Sequence, residues 1–269
     1  LEEYPNFNIV GEVWLHDQAQ ISYWQKDSPI ATIQNYNTHL PSVMDFTLHD
    51  AFGEALKAQP SWDKGMIQIY ENFVNDFLYK NPHNLLIFAE NHDTSRINEI
   101  YPNIEDYQII MSILSTMRGI PQLYYGSEIG MRGDKSKGDA YIREDFPGGW
   151  KEDKQNALSP KLRNATQKAY FDITAKLFNW RKNQPVIHSG NLLQFLPINE
   201  VYVYFRYNEN KTVMVIINNK KENQTIDLER FKEGIQKYTK GKDVISEKEF
   251  SLKDSLEIPA KTAFILELL

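Results

Sequence analysis

Residues 84–93, Asn84-Leu85-Leu86-Ile87-Phe88-Ala89-Glu90-Asn91-His92-Asp93, decide how the rest of the chain is read. The apolar run from Leu85 to Ala89 shows no alternation. That suits a strand buried on both faces, as in a parallel sheet covered by helices. It stops at four polar residues, and α/β folds build their sites at the C-terminal ends of such strands.

Three other short runs lie to either side. Phe7 to Trp14 reads as a strand whose apolar part, Phe7 to Val10, ends at Gly11-Glu12. Val43 to Phe46 and Pro121 to Tyr125 read as two more. Helical spacing fills the gaps. Met66, Ile69, Tyr70, Phe73, Val74, Phe77 and Leu78 follow the i, i+3, i+4 rule until Asn81-Pro82. Ile104, Tyr107, Met111, Leu114 and Met117 mark a second helix, ending near Gly119-Ile120-Pro121. Ala169, Tyr170, Ile173, Leu177 and Trp180 mark a third, stopping before Pro185.

Beyond about residue 186 the pattern changes. Val201 to Tyr207 and Thr212 to Ile217 are β-branched and aromatic, with a turn at Asn208-Glu209-Asn210. Short strands are expected at 223–228, 248–252 and 262–266. The chain thus reads as four βα units and then an antiparallel β module. Four such units make either a small open sheet or half of an eight-stranded barrel, and periodicity does not choose between them.

Composition narrows the functions. The 269 residues carry a net charge of −6, and no basic stripe offers itself to phosphates, so no nucleic-acid partner is expected. No run approaches the roughly 18 to 20 apolar residues of a membrane span, so none is expected. Without cysteine there are no disulfides and no thiolate metal sites. The N-terminal Leu1-Glu2-Glu3 reads as the tail of a helix broken by Tyr4-Pro5-Asn6. With no initiator Met and no signal-peptide pattern, the expectation is a chain cut from a longer one; the other reading is the helical start of a mature protein.

The strand ends carry the chemistry. One ends Gly11-Glu12-Val13-Trp14 and another Glu90-Asn91-His92-Asp93. Carboxylates, a histidine and a tryptophan suit glycoside chemistry. One acid protonates the leaving oxygen, a second carboxylate stabilises the cationic sugar, and an indole face stacks on the ring. Taken singly, Gly-Glu after a strand is usually a turn with a solvated carboxylate, and Asn-His-Asp is often a helix-capping segment.

Taken together, GEVW at 11–14, FAENHDTSRI at 88–97 and RGIPQLYYGSEIGMRG at 118–133 resemble the alpha-amylase family, glycoside hydrolase family 13, in order and spacing. IREDFPGGW at 142–150 is similar to its neopullulanase, cyclomaltodextrinase and maltodextrin-hydrolase branch. The resemblance implies an α/β plus all-β chain: the C-terminal half of a (β/α)8 TIM barrel, strands five to eight, over residues 1–185, then an antiparallel β-sandwich domain over 186–269. It implies that Glu12 is the general acid/base and that Asp93 is the transition-state stabiliser. His92, Trp14, Asn91 and Arg96 form the implied substrate-binding set, Arg96 by orienting loops or carboxylates. Glu128 is expected to be structural, and Tyr124 and Tyr125 to pack at the end of the last barrel strand.

The implied activity is retaining hydrolysis of α-1,4 or α-1,6 glucosidic bonds in maltodextrin, pullulan or cyclodextrin, and it asks for a buried Glu12 with a raised pKa. The family's nucleophile, on an Arg-x-Asp strand, has no counterpart here. Arg143-Glu144-Asp145 has the spacing but lies in a polar loop. The chain alone is therefore expected to be inactive, with an α-glucan oligosaccharide and the N-terminal half of the same enzyme as partners. The alternatives are a non-catalytic glycan-binding fragment and, in the intact form, a transglycosylase. No cofactor is expected in this chain. Ca²⁺ belongs to the intact enzyme if anywhere, because the acidic loop of Asp134, Asp139, Glu144 and Asp145 is interleaved with Lys135, Lys137 and Arg143. A periplasmic or secreted location is favoured over a cytoplasmic one.

Overall fold

The computed structural model describes residues 3–4 and 7–269. The expected helix tail at Leu1-Glu2 and its break at Pro5-Asn6 lie outside the described residues. The chain divides into two compact units, Leu1–Phe88 with Arg118–Gln122, and Ala89–Met117 with Leu123–Leu269. Among the described residues no helix is long and apolar enough to cross a membrane.

The first unit holds four short parallel strands: β1 (Val10–Gly11), β2 (Ser42–Val43), β3 (Leu86–Ile87) and β4 (Ile120–Pro121). β1 pairs with β2, Met44 bridges to Leu86, and β3 pairs with β4, so strand neighbours in space follow sequence order. Helices α1 (Gln18–Tyr23), α2 (Phe46–Ala55) and α3 (Met66–Val74) lie in the connections.

The strands are shorter than the apolar runs suggest, and the reasons are local. Asp45, expected in a strand, accepts from Leu48 N at 3.0 Å and caps α2, so Phe46 is helical. Pro121 has no N–H to extend a ladder, and the last cross-strand bond is Gln122 N to Ile87 O, 2.8 Å. Of the strand expected over 7–14, only Val10–Gly11 is paired. After Val74 the helix tightens to a 3₁₀ turn at Asn75–Leu78, which carries Phe77 off the apolar stripe and leaves it exposed.

One glycine is required by geometry. Gly119, entering β4, has φ +97°, and a Cβ there would come 2.7 Å from Leu85 O. Gly119→Ala is expected to destabilise the protein by about 2–4 kcal/mol, from backbone strain plus overpacking. Urea unfolding measures it, and a loss under about 1 kcal/mol would show that the strand shifts freely.

The second unit carries α4 (Ile97–Ile100), α5 (Ile104–Thr116), α6 (Asp139–Ile142) and α7 (Ala165–Lys182). It also carries β5 (Asn191–Ile198), β6 (Val201–Tyr207), β7 (Thr212–Asn218), β8 (Gln224–Asp227), β9 (Lys240–Asp243), β10 (Glu249–Ser251), β11 (Ser255–Ile258) and β12 (Thr262–Leu268). Six strands form an antiparallel sheet in the order β10-β9-β12-β7-β6-β5, and β11 pairs with β8. β6 is buried on both faces. Val203 and Phe205 join the apolar core with Met214, Ile216 and Phe264. Tyr204 and Arg206 point the other way: the Tyr204 hydroxyl lies 2.5 Å from Thr116 Oγ1, and Arg206 donates to the Ile187 and Gly190 carbonyls.

Candidate functional site

In the first unit, Glu12 directly follows β1. It is exposed, and among the described residues no hydrogen bond or ion pair engages its carboxylate. Burial of Glu12 was expected of the intact enzyme; in this chain every residue of the described 10–14 segment is only partly covered or exposed. Two residues on, Trp14 stacks on Phe46 (centroids 4.8 Å apart, planes at 15°) and is 44% exposed. Asp17 accepts from Gln20 N at 2.9 Å and starts α1 there, and His16 Nδ1 lies 2.6 Å from Asp50 Oδ2. The segment around Glu12 is thus anchored by its aromatic and by its cap, with the carboxylate itself unengaged.

In the second unit, residues 90–96 form a closed turn. Asn91 Oδ1 accepts from Asp93 N at 2.8 Å, and Thr94 Oγ1 accepts from Asn91 N at 3.0 Å. His92 is exposed, with Nε2 3.1 Å from Asp93 Oδ2. The other oxygen of Asp93 is held by Arg143 Nη2 at 2.5 Å, while Arg143 Nε donates to His92 O at 2.8 Å. Arg143 also reaches Asp139 Oδ2 at 2.9 Å, so one guanidinium ties α6 to both ends of the His92-Asp93 step.

Asn91 and Arg96 are placed differently. Both are buried, Arg96 completely. Arg96 donates to Ile142 O (3.1 Å) and Tyr125 O (2.7 Å), and its guanidinium carbon lies 4.3 Å from the Tyr124 ring centroid. It holds carbonyls of two loops from a fully buried position. Asn91 Nδ2 is buried without a hydrogen-bond partner among the described residues. Tyr124 packs on Arg96, whereas Tyr125 is partly exposed and donates to Glu144 O at 2.8 Å.

Sequence reasoning passed over Glu90 and Arg143. Glu90 is buried against Ile97 N–H, the Ser127 hydroxyl and, at 3.9 Å, Arg96 Nη1. Burial pushes its pKa up to about 7, against the Ile97 N–H and Arg96, with Glu128 adding to the rise. A charged residue closing an apolar strand was the available signal. For Arg143 the signal was its i, i+4 spacing from Asp139. In the loop over 134–145, Asp134 caps a turn through Ser136 N, and Asp139 is paired with Lys135 and Arg143. Among the described residues no group of three or more His, Asp or Glu is placed to hold a metal.

Along the chain, short parallel strands end in polar residues and are followed by an antiparallel β module. The family model "Alpha amylase, catalytic domain" matches residues 1–225, and "Cyclo-malto-dextrinase C-terminal domain" matches 192–267. The chain belongs to the alpha-amylase family, and its fold is a partial TIM barrel followed by a β-sandwich. It is 35% identical over 152 residues to Alpha-amylase 3 of Dictyoglomus thermophilum, covering 55% of this chain and 26% of that protein. It is 27% identical over 222 residues to the maltogenic alpha-amylase of Bacillus acidopullulyticus, covering 81% and 33%. Among solved structures, the alpha-amylase of Geobacillus thermoleovorans complexed with acarbose aligns with a TM-score of 0.77 at 22% identity, covering 98% of this chain and 54% of that one. The chain therefore spans about a quarter to a third of these curated relatives and about half of that solved chain.

Proposed function

We propose that this chain is the acid/base-bearing part of a retaining α-glucan hydrolase, with Glu12 as general acid/base and Asp93 as the carboxylate that stabilises the transition state. The observation that carries the reading is the match of the catalytic-domain family over residues 1–225, within which GEVW begins in β1 and ENHD follows β3 after two intervening residues.

In the proposed cycle a nucleophilic carboxylate from outside this sequence attacks the anomeric carbon while Glu12 protonates the departing oxygen. Glu12 then takes a proton from the water that frees the sugar. Asp93 and His92 receive sugar hydroxyls, and Trp14 offers its open indole face. The proposed substrate class is maltodextrin-like α-1,4-glucan: solved structures of similar fold include complexes with acarbose, maltose and maltotriose. Curated relatives are named both as cyclomaltodextrinases and as cyclomaltodextrin glucanotransferases, so transfer to a sugar acceptor is the competing outcome at the same residues.

The chain by itself is expected to release no reducing sugar from maltotetraose, because the nucleophile is not in it. Joined to a segment supplying the first four barrel strands and the Arg-x-Asp nucleophile, it is expected to hydrolyse maltotetraose, with the activity lost in Glu12→Gln and in Asp93→Asn. Release of reducing sugar by the chain alone, abolished by Glu12→Gln, would overturn the division of labour. A completed enzyme indifferent to both substitutions would overturn the assignment.

A further inference from the structure

Two buried side chains, Glu90 and Arg96, mount the turn that presents His92 and Asp93, and Glu90 has no part in the reaction proposed above. Glu90 lies three residues before Asp93 and is 3% exposed. One carboxyl oxygen accepts the N–H of Ile97, the first residue of α4, and the other meets the hydroxyl of Ser127. At the far end Arg96 takes the Ile142 and Tyr125 carbonyls, and its backbone N–H donates to Gly133 O at 2.9 Å. Between these ends the Asn91–Thr94 turn is closed by its own hydrogen bonds.

We propose that Glu90 is a positioning residue for the substrate-contacting pair His92–Asp93, fixing their turn from beneath through Ile97 and Ser127. The inference rests on the functional reading above only for what the pair contacts. The hydrogen count at Ser127 adds a chemical detail. Its single hydroxyl hydrogen faces two acceptors, Glu90 Oε1 and, at 2.7 Å, Tyr124 O. Both contacts are satisfied when Glu90 is a neutral acid donating to Ser127 Oγ while Ser127 donates to Tyr124 O. The neutral form therefore completes a chain from the 90–96 turn to the 124–127 loop. Arg96, Glu128 and Tyr107 are the ionisable groups whose fields reach Glu90.

The test reads His92 directly. The chain is labelled with ¹³C-histidine, and His92→Gln identifies its signal among the six histidines. Glu90→Ala is expected to move the His92 resonance toward that of a free imidazole, while circular dichroism shows the fold retained. Glu90→Gln is expected to restore it, since the amide accepts from Ile97 N–H and donates to Ser127 Oγ. A His92 signal unmoved in folded Glu90→Ala, or a Gln variant no better than Ala, overturns the proposal. If Glu90→Ala does not fold, Ser127→Ala decides: it removes one mount, so a displacement in His92 supports the proposal and none overturns it. The hydrolysis experiment above judges the functional reading separately, because the His92 signal requires no turnover.

Discussion

Arg118→Ala is expected to destabilise the first unit by about 3–5 kcal/mol, the usual cost of removing one member of a buried ion pair. Arg118 is 1% exposed and Asp45 fully buried. Its guanidinium donates to Asp45 Oδ2 at 2.9 Å through Nη1 and to Asp76 Oδ1 at 2.8 and 2.6 Å through Nε and Nη2. A longer contact of 3.4 Å reaches Asn72 Oδ1, and the Phe73 ring lies 4.8 Å away. Burial works against the charge, and Asp76 and Asp45 override it, holding the Arg118 pKa above its usual value.

Alanine would leave the Asp45 carboxylate buried with only its α2 cap and the Thr47 hydroxyl. The damage spreads because Asp45 starts α2, Asp76 and Asn72 belong to the α3 region, and Arg118 immediately precedes Gly119 and β4. One guanidinium thus couples three segments whose strands pair over only two residues each. Arg118→Lys should recover part of the loss, since an ammonium cannot reproduce the two-sided fork. Chemical denaturation checks both, and a loss under about 1 kcal/mol for the alanine variant would mean that water or a neighbour relieves Asp45.

What was legible in the sequence was the part fixed by side-chain type at a local scale. VYVYFRY and TVMVII are strands whatever surrounds them, and they pair as the turn at 208–210 demands, Tyr207 opposite Thr212. β5, β9 and β11 were not legible. β5 includes Pro197 at an irregular register between Phe195 and Ile198, and β9 is Lys-Gly-Lys-Asp, a strand only because β12 and β10 flank it. At the candidate site the motifs named the exposed chemistry, Glu12, His92 and Asp93. They could not reveal which charges hold that chemistry in place. Local signals mark Glu90 and Arg143 only as charges at a strand end and on a helix turn; their contacts with Ser127 and Asp93, 37 and 50 positions away, are what no local pattern encodes. Burial of Glu12, expected of the intact enzyme, likewise depends on what packs over a strand end, and within this chain the neighbouring residues leave it open.

Glu90 also yields a pH dependence with a definite sign. Its carboxyl is buried, and burial raises its pKa from the ordinary 4.5 to about 7 on folding. The folded state therefore binds its proton more tightly than the unfolded state does. Between the two values the folded chain carries the extra proton, and stability falls as pH rises. The contribution is fully present below about pH 4.5 and is gone above about pH 7, a loss on the order of 3 kcal/mol across that window. Glu90→Gln keeps the shape and cannot ionise. Its unfolding free energy is expected to be flatter than that of the native chain from pH 5 to 7, and higher than the native value at pH 8. Urea denaturation of both proteins at half-unit pH steps measures this. Parallel curves across the window would mean that Glu90 is ionised in the fold throughout. The Ser127 hydrogen would then serve the carboxylate rather than Tyr124 O, and the neutral hydrogen-bond chain beneath Asp93 would be ruled out.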